Sequence, residues 1–211
     1  DCFENVELFN IDGLNELKSL KIGKRSFTTV KAKSNIWEYT NNPNRSFGIV
    51  NCSKLESIDI DEYSFSDYGG GFKLKDLPNL NSLKIGVQNS SSWNFYYASF
   101  SIENLSSLSV ITIGGHSFKL TSNVIMSDLP KLKTIELGSH SFCGNKFNEN
   151  YSLTMKNLPR LSSIESKGNS FYSSAKVVLS NIPHLEKVVL PESFWNVKSR
   201  SINNVSPELA K

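Results

Sequence analysis

One fourteen-residue pattern recurs along this chain, and it constrains the fold more than any other feature. Leu129 to Phe142 reads Leu-Pro-Lys-Leu-Lys-Thr-Ile-Glu-Leu-Gly-Ser-His-Ser-Phe, and the same pattern returns at Leu14 to Phe27, Cys52 to Phe65, Leu105 to Phe118 and Leu158 to Phe171. A degenerate copy starts at Ile182, and Leu77 to Gly86 matches without its phenylalanine, Ser90 standing in that place. Self-similarity at a period of 20 to 50 residues marks a repeat architecture, in which each unit is too small to bury its own apolar side and must stack on its neighbours.

Upstream of each copy lies a second motif, apolar-x-apolar-x-Asn/Asp, as in Phe47-Ile49-Asn51, Phe100-Ile102-Asn104 and Leu153-Met155-Asn157. Both motifs alternate with a period of two, the signature of short strands with one buried and one solvated face. The spacing predicts parallel strands at 20–22, 58–60, 83–85, 111–113, 135–137 and 188–190, stacked in one sheet. The upstream motifs form a second sheet. The expected fold is therefore mainly β: a single right-handed solenoid over residues 1–211, of about seven coils with two short parallel strands each. Leu55, Leu80, Leu108, Leu132, Leu161, Phe65, Phe118, Phe142 and Phe171 are its expected core.

Corners are marked by Pro78, Pro130, Pro159 and Pro183 after the first strand, and by Gly23, Gly86, Gly114 and Gly138 after the second, where glycine permits a sharp turn. Asp76, Asn104, Asp128, Asn157 and Asn181 are expected to form a ladder bonding turn backbone groups of adjacent coils, burying Asn51 and Asn104. Equivalent leucines from Leu17 to Leu185 lie 38, 25, 28, 24, 29 and 24 residues apart. Long and short units thus alternate, and loops 24–46, 86–99 and 143–152 project from one side of every second coil.

The Leu-x-x-Leu/Ile-x-Ile/Leu pattern resembles the leucine-rich-repeat superfamily, and the Ile-Gly-x-x-Ser-Phe continuation is similar to its BspA-like branch of bacterial and protist surface proteins. The resemblance covers almost the whole chain and implies protein or glycan binding, adhesion or scaffolding, without catalysis. It also leans toward the cell surface or extracellular space, with a cytoplasmic setting left open. One position departs from the superfamily: its usual Asn or Cys is replaced by Arg25, Tyr63, Gln88, His116 and His140, and only Asn169 fits. That departure favours a flatter, two-sheeted solenoid over a curved horseshoe.

Basic residues are scattered and the net charge is only +3, which argues against a nucleic-acid partner. No apolar run approaches the roughly eighteen residues of a membrane span. Three cysteines without CxxC spacing indicate neither a zinc site nor a disulfide framework, and six N-x-S/T sequons are about what an Asn- and Ser-rich chain produces by chance. No nucleophile–base set can be assembled around three histidines, and Gly69-Gly70-Gly71 lacks the lysine of a phosphate loop. No catalytic, cofactor or metal site is expected. His116 and His140 share a repeat position and read as a stacked surface pair rather than a shared metal site.

Candidate partner-binding residues fall in two groups. Trp93, Tyr96 and Tyr97 lie in the most aromatic stretch of the chain, and Trp37 and Tyr39 in its longest insert. There Phe100 is core by register, one or two rings replace the missing phenylalanine, and Tyr96 or Tyr97 serves as an exposed anchor. The solvent row of the second strand, with Lys84, Thr112, Glu136 and Glu165, offers a graded face to a protein with a basic patch, or else is an ordinary solvated face. The outward row of the first strand is paler in charge, and Ile125 with Val178 suits a covered surface. A protein partner is favoured and a glycan is the alternative. A third use is a structural part of a larger assembly. Cys2-Phe3 reads as the end of an earlier Ser-Phe motif and Ile202 to Pro207 as the start of another corner, so the chain is expected to belong to a longer array or to stack end to end.

Overall fold

The computed structural model describes residues 2–29, 41–145 and 148–210. Strands alternate between two parallel sheets. The eight-stranded sheet holds Leu8–Asp12 (β1), Ser46–Val50 (β3), Gly71–Lys75 (β5), Ser99–Glu103 (β7), Asn123–Ser127 (β9), Ser152–Lys156 (β11), Lys176–Ile182 (β13) and Ser199–Val205 (β15). The seven-stranded sheet holds Ser19–Ile22 (β2), Ser57–Ile60 (β4), Ser82–Ile85 (β6), Val110–Ile113 (β8), Thr134–Leu137 (β10), Ser163–Ser166 (β12) and Lys187–Val189 (β14). Among the described residues helix is confined to one turn, Pro207–Ala210 (α1). This is a β-solenoid, and each spacing-derived strand lies within a residue of its expected place.

Pairing is in register throughout. Thr112 lies opposite Glu136 and Glu136 opposite Glu165 in one sheet; Ile125 lies opposite Thr154 and Thr154 opposite Val178 in the other. In-register stacking places identical repeat positions above one another, so the core is built of columns. Phe27, Phe65, Phe95, Phe118, Phe142 and Phe171 form one, with consecutive ring centroids 4.8–5.6 Å apart and nearly parallel planes. Phe9, Phe47, Phe72 and Phe100 form a second at 4.8–5.3 Å, meeting the first edge to face. Every expected core leucine and phenylalanine is inaccessible to solvent or nearly so.

The coil that lacks its Ser-Phe in sequence carries it five residues later. Phe95 occupies the column between Phe65 and Phe118, and Asn94 takes the serine position. The serine of this motif bonds toward the preceding coil: Ser64 Oγ donates to Gly23 O at 2.7 Å and Ser141 Oγ to Gly114 O at 2.9 Å. Asn94 does the same work with Nδ2, donating to Asp61 O at 2.7 Å and Ser64 O at 3.0 Å. The insert therefore spans 87–92, and Trp93, not Gln88, belongs to the row of Arg25, Tyr63, His116 and His140.

Two corner expectations are corrected. The Asn/Asp ladder forms, but side chain to side chain: Asn157 Nδ2 donates to Asp128 Oδ1 at 2.6 Å and Asn204 Nδ2 to Asn181 Oδ1 at 3.0 Å. It runs along the outside, with Asn51 and Asn104 exposed rather than buried. Its residues sit in the left-handed region, φ 52–58°, which Asn and Asp tolerate better than other side chains. Gly114 and Gly138 do not serve a positive-φ turn either. A Cβ on Gly138 would lie 2.2 Å from Gly115 N, and one on Gly114 2.3 Å from Ser92 Oγ, so close approach of adjacent coils demands them.

Candidate functional site

The corners after the second strand turn through two left-handed residues, such as His116 and Phe118 at φ 60° and 52°, except after Ser163–Ser166, where Phe171 alone is left-handed. The first points its ring along the outside of the coil, the second into the core. The outer row is thus a column in its own right. Arg25 lies over the Tyr63 ring at 5.9 Å, Trp93 stacks on His116 at 4.1 Å, and His116 on His140 at 5.0 Å. Lys119 Nζ sits 5.7 Å from the Trp93 ring. Stacking along the solenoid axis turns ring edges to solvent and uses ring faces internally.

That geometry decides the aromatic insert. Trp93 and Tyr96 are buried, their rings 5.5 Å apart, and Tyr96 meets Tyr97 edge to face at 4.8 Å. The expectation that Tyr96 serves as an exposed anchor is corrected, because the missing repeat positions draw the insert inward. Tyr97 stays half-buried, its hydroxyl pKa raised by burial. Trp37 and Tyr39 lie outside the described residues.

The His116–His140 pair is a stack, each ring half-buried. Burial, followed by the Lys119 charge, lowers the His116 pKa to about 4 and depresses that of His140 as well. His140 Nδ1 lies 2.7 Å from Ser139 Oγ, whereas His116 Nδ1 is buried with no partner among the described residues. No group of three or more His, Cys, Asp or Glu side chains among the described residues is arranged to hold a metal ion.

Lys84, Thr112, Glu136 and Glu165 lie in one row on the outer face of the seven-stranded sheet, as the period of two requires. Much of their charge is answered within the sheet. Lys84 reaches Asp59 at 3.3 Å, and Lys187 reaches Glu165 at 2.8 Å, holding that carboxyl below its usual range. Thr112 donates to Glu136 at 3.4 Å. The opposite face reads Ser101, Ile125, Thr154, Val178 and Ser201 across β7 to β15, a row of partly exposed small and apolar side chains that ends at an exposed Ser201. Ser99, Asn123, Ser152 and Lys176 flank it on one side and Glu103, Ser127, Lys156 and Ser180 on the other.

Searches with protein-family profiles, against curated proteins and against solved structures found no match to this chain.

Three further places stand out. A groove of about 380 Å³ follows the Asn/Asp/Pro corner past Asn104, Asp128, Pro130, Asn157 and Pro159. Arg45, near the end of the long insert, forms a buried ion pair with Asp67, its guanidinium donating to Val6 O at 2.8 Å and lying 4.8 Å from the Tyr68 ring. Burial pushes the Tyr68 pKa up to about 12, and its hydroxyl donates to Val6 O at 2.6 Å, so this cluster ties the first coil to the second. The third, beside Trp195, was missed in the sequence because it belongs to the degenerate last copy. Its signal was a tryptophan directly after Glu192-Ser193-Phe194.

Proposed function

We propose that this chain is a non-catalytic binding or scaffolding module, a solenoid of the leucine-rich-repeat type similar to the BspA-like branch, and that its protein partner docks on the outer face of the eight-stranded sheet. The observation that carries this reading is the contrast between the two faces. The seven-stranded face is charged and pairs Lys84 with Asp59 and Lys187 with Glu165, so a partner there must break or desolvate those ion pairs. The eight-stranded face offers Ile125, Thr154 and Val178 side by side, an uncharged centre that costs less to dehydrate than an ion-paired one, with Lys156 and Lys176 on its rim. No helix among the described residues is long and apolar enough to cross a membrane.

Paired arginine scans test it. Thr154→Arg and Ser101→Arg abolish capture of a partner identified with the wild-type chain, whereas Thr112→Arg and Glu136→Arg leave it intact. The reverse pattern overturns the choice of face, and insensitivity of both faces overturns sheet docking altogether.

A second reading, as a structural part of an assembly, rests on the solenoid's ends. β1 and β2 have open outer edges beside exposed Phe3, Leu8 and Leu14, while the far end exposes Val189 and Ile202. Open parallel edges with apolar neighbours invite a further coil, from another chain or another copy. Sedimentation over a hundredfold concentration range separates the two: reversible end-to-end growth supports assembly, and a concentration-independent monomer supports the module alone.

A further inference from the structure

Beyond the sheet face, we propose that the cleft beside Trp195 binds a neutral saccharide. The cleft, about 520 Å³, opens on the corner side of the last coils. Its size falls in the range of small-ligand sites. Three consecutive coils build its wall: Asn148 and Glu149 from one, Ser173 and Ala175 from the next, and Trp195 to Lys198 from the last.

Four features define the ligand. Trp195 is 71% exposed, the most open large apolar side chain among the described residues. Its ring is held parallel to that of Tyr172, centroids 6.2 Å apart, so it is a fixed flat surface. Trp195 follows Phe194 as Tyr172 follows Phe171, and it is the last ring of that row. A flat, oriented indole at an open cleft suits the C–H face of a pyranose ring, whose hydroxyls point outward around it.

The polar groups agree. Asn148 and Asn196 each carry a carboxamide that donates and accepts at once, the pairing that vicinal hydroxyls need. Lys198 and Glu149 pair at 2.5 Å, leaving the cleft without net charge and with both a cationic donor and an anionic acceptor on its rim. An anion or a cation would have to break that pair, and a lipid tail would strand it. Finally, Ser173 is 3% exposed and its Oγ has no hydrogen-bond partner among the described residues. An orphaned hydroxyl in the wall of a cleft costs stability unless a ligand group or a bridging water meets it.

Titration calorimetry with cellotriose, maltotriose, mannotriose and triacetylchitotriose tests the proposal. At least one binds with a Kd of millimolar or tighter. Trp195→Ala weakens it tenfold or more, and Asn196→Ala weakens it severalfold. Trp195 and Asn196 lie at the surface, and an unchanged far-UV spectrum and thermal midpoint confirm that the variants fold. Silence of all four sugars in calorimetry, or a response only to sulfated oligosaccharides added as a fifth arm, overturns the proposal. Full-strength binding by Trp195→Ala overturns the location. Failure here leaves the sheet-face reading standing, since Thr154→Arg reports on the outer face of the eight-stranded sheet and not on the corner.

Discussion

A single inward leucine and a single outward glutamate, four residues apart, express the energetics of the whole chain. Leu132 is fully buried; Glu136 faces outward and accepts only a long bond from Thr112. Leu132→Ala is expected to cost about 2–5 kcal/mol, and Glu136→Ala to stay within about 0.5 kcal/mol of wild type, in urea denaturation. The opposite order would show that the faces are reversed. At the histidine pair the sign is equally definite. Unfolded histidine titrates near 6.5 while folded His116 is lowered to about 4, so between these values the unfolded chain binds more protons. Stability from this group is complete above the unfolded value and is lost as pH falls toward 4. His116→Phe keeps a ring on Trp93 but cannot titrate, so the thermal midpoint of the variant should fall less steeply than that of wild type between pH 6.5 and 4. Parallel curves for the two proteins would refute the assignment.

At the scale of the corner, one backbone conformation is reused by different side chains. Asn157 has φ 55°, donates to Asp128 and lies on the surface. Asn157→Gly keeps the conformation and loses the ladder bonds; Asn157→Ala loses both, at about 1–2 kcal/mol for the left-handed backbone. Alanine should therefore lower the thermal midpoint more than glycine, and equal losses would mean that the ladder alone matters. Such elements show what sequence could convey. Strands and their facing were legible because Ile-x-Leu alternation has one solution when one face is buried. Phe95 was not, since an insert of arbitrary length hides register, and only the vacancy in the phenylalanine column chooses which ring enters. Burial of the ladder was misjudged because a repeated polar residue signals bonding between coils without saying on which side of the chain it lies. The cleft at Trp195 depends on three coils meeting in space, and no single repeat contains it.

For the molecule as a whole, stability is a sum over coils and their contacts. Strands β3 to β13 are covered on both edges, whereas β1 and β2 at one end and β14 and β15 at the other each have a single neighbour. The ends are unequal: α1 lays Leu209 against the core at the far end, while Leu17 and Leu20 are only half covered at the near one. Amide exchange should be slowest in β5 to β11 and fastest in β1 and β2, with β15 between. Uniform protection across all coils would show that the chain opens only as a single unit.

The hydrogen bonds of both sheets run along the solenoid axis, and this gives the molecule a mechanical character. Tension applied between its two ends loads the coils in series, so the weakest terminal contact parts first and the remainder is undisturbed. Each released coil of 24 to 29 residues in the regular part of the array lets out about 80–100 Å of slack. A chain of this kind, anchored at both ends, yields stepwise under load and rewinds when the load is removed.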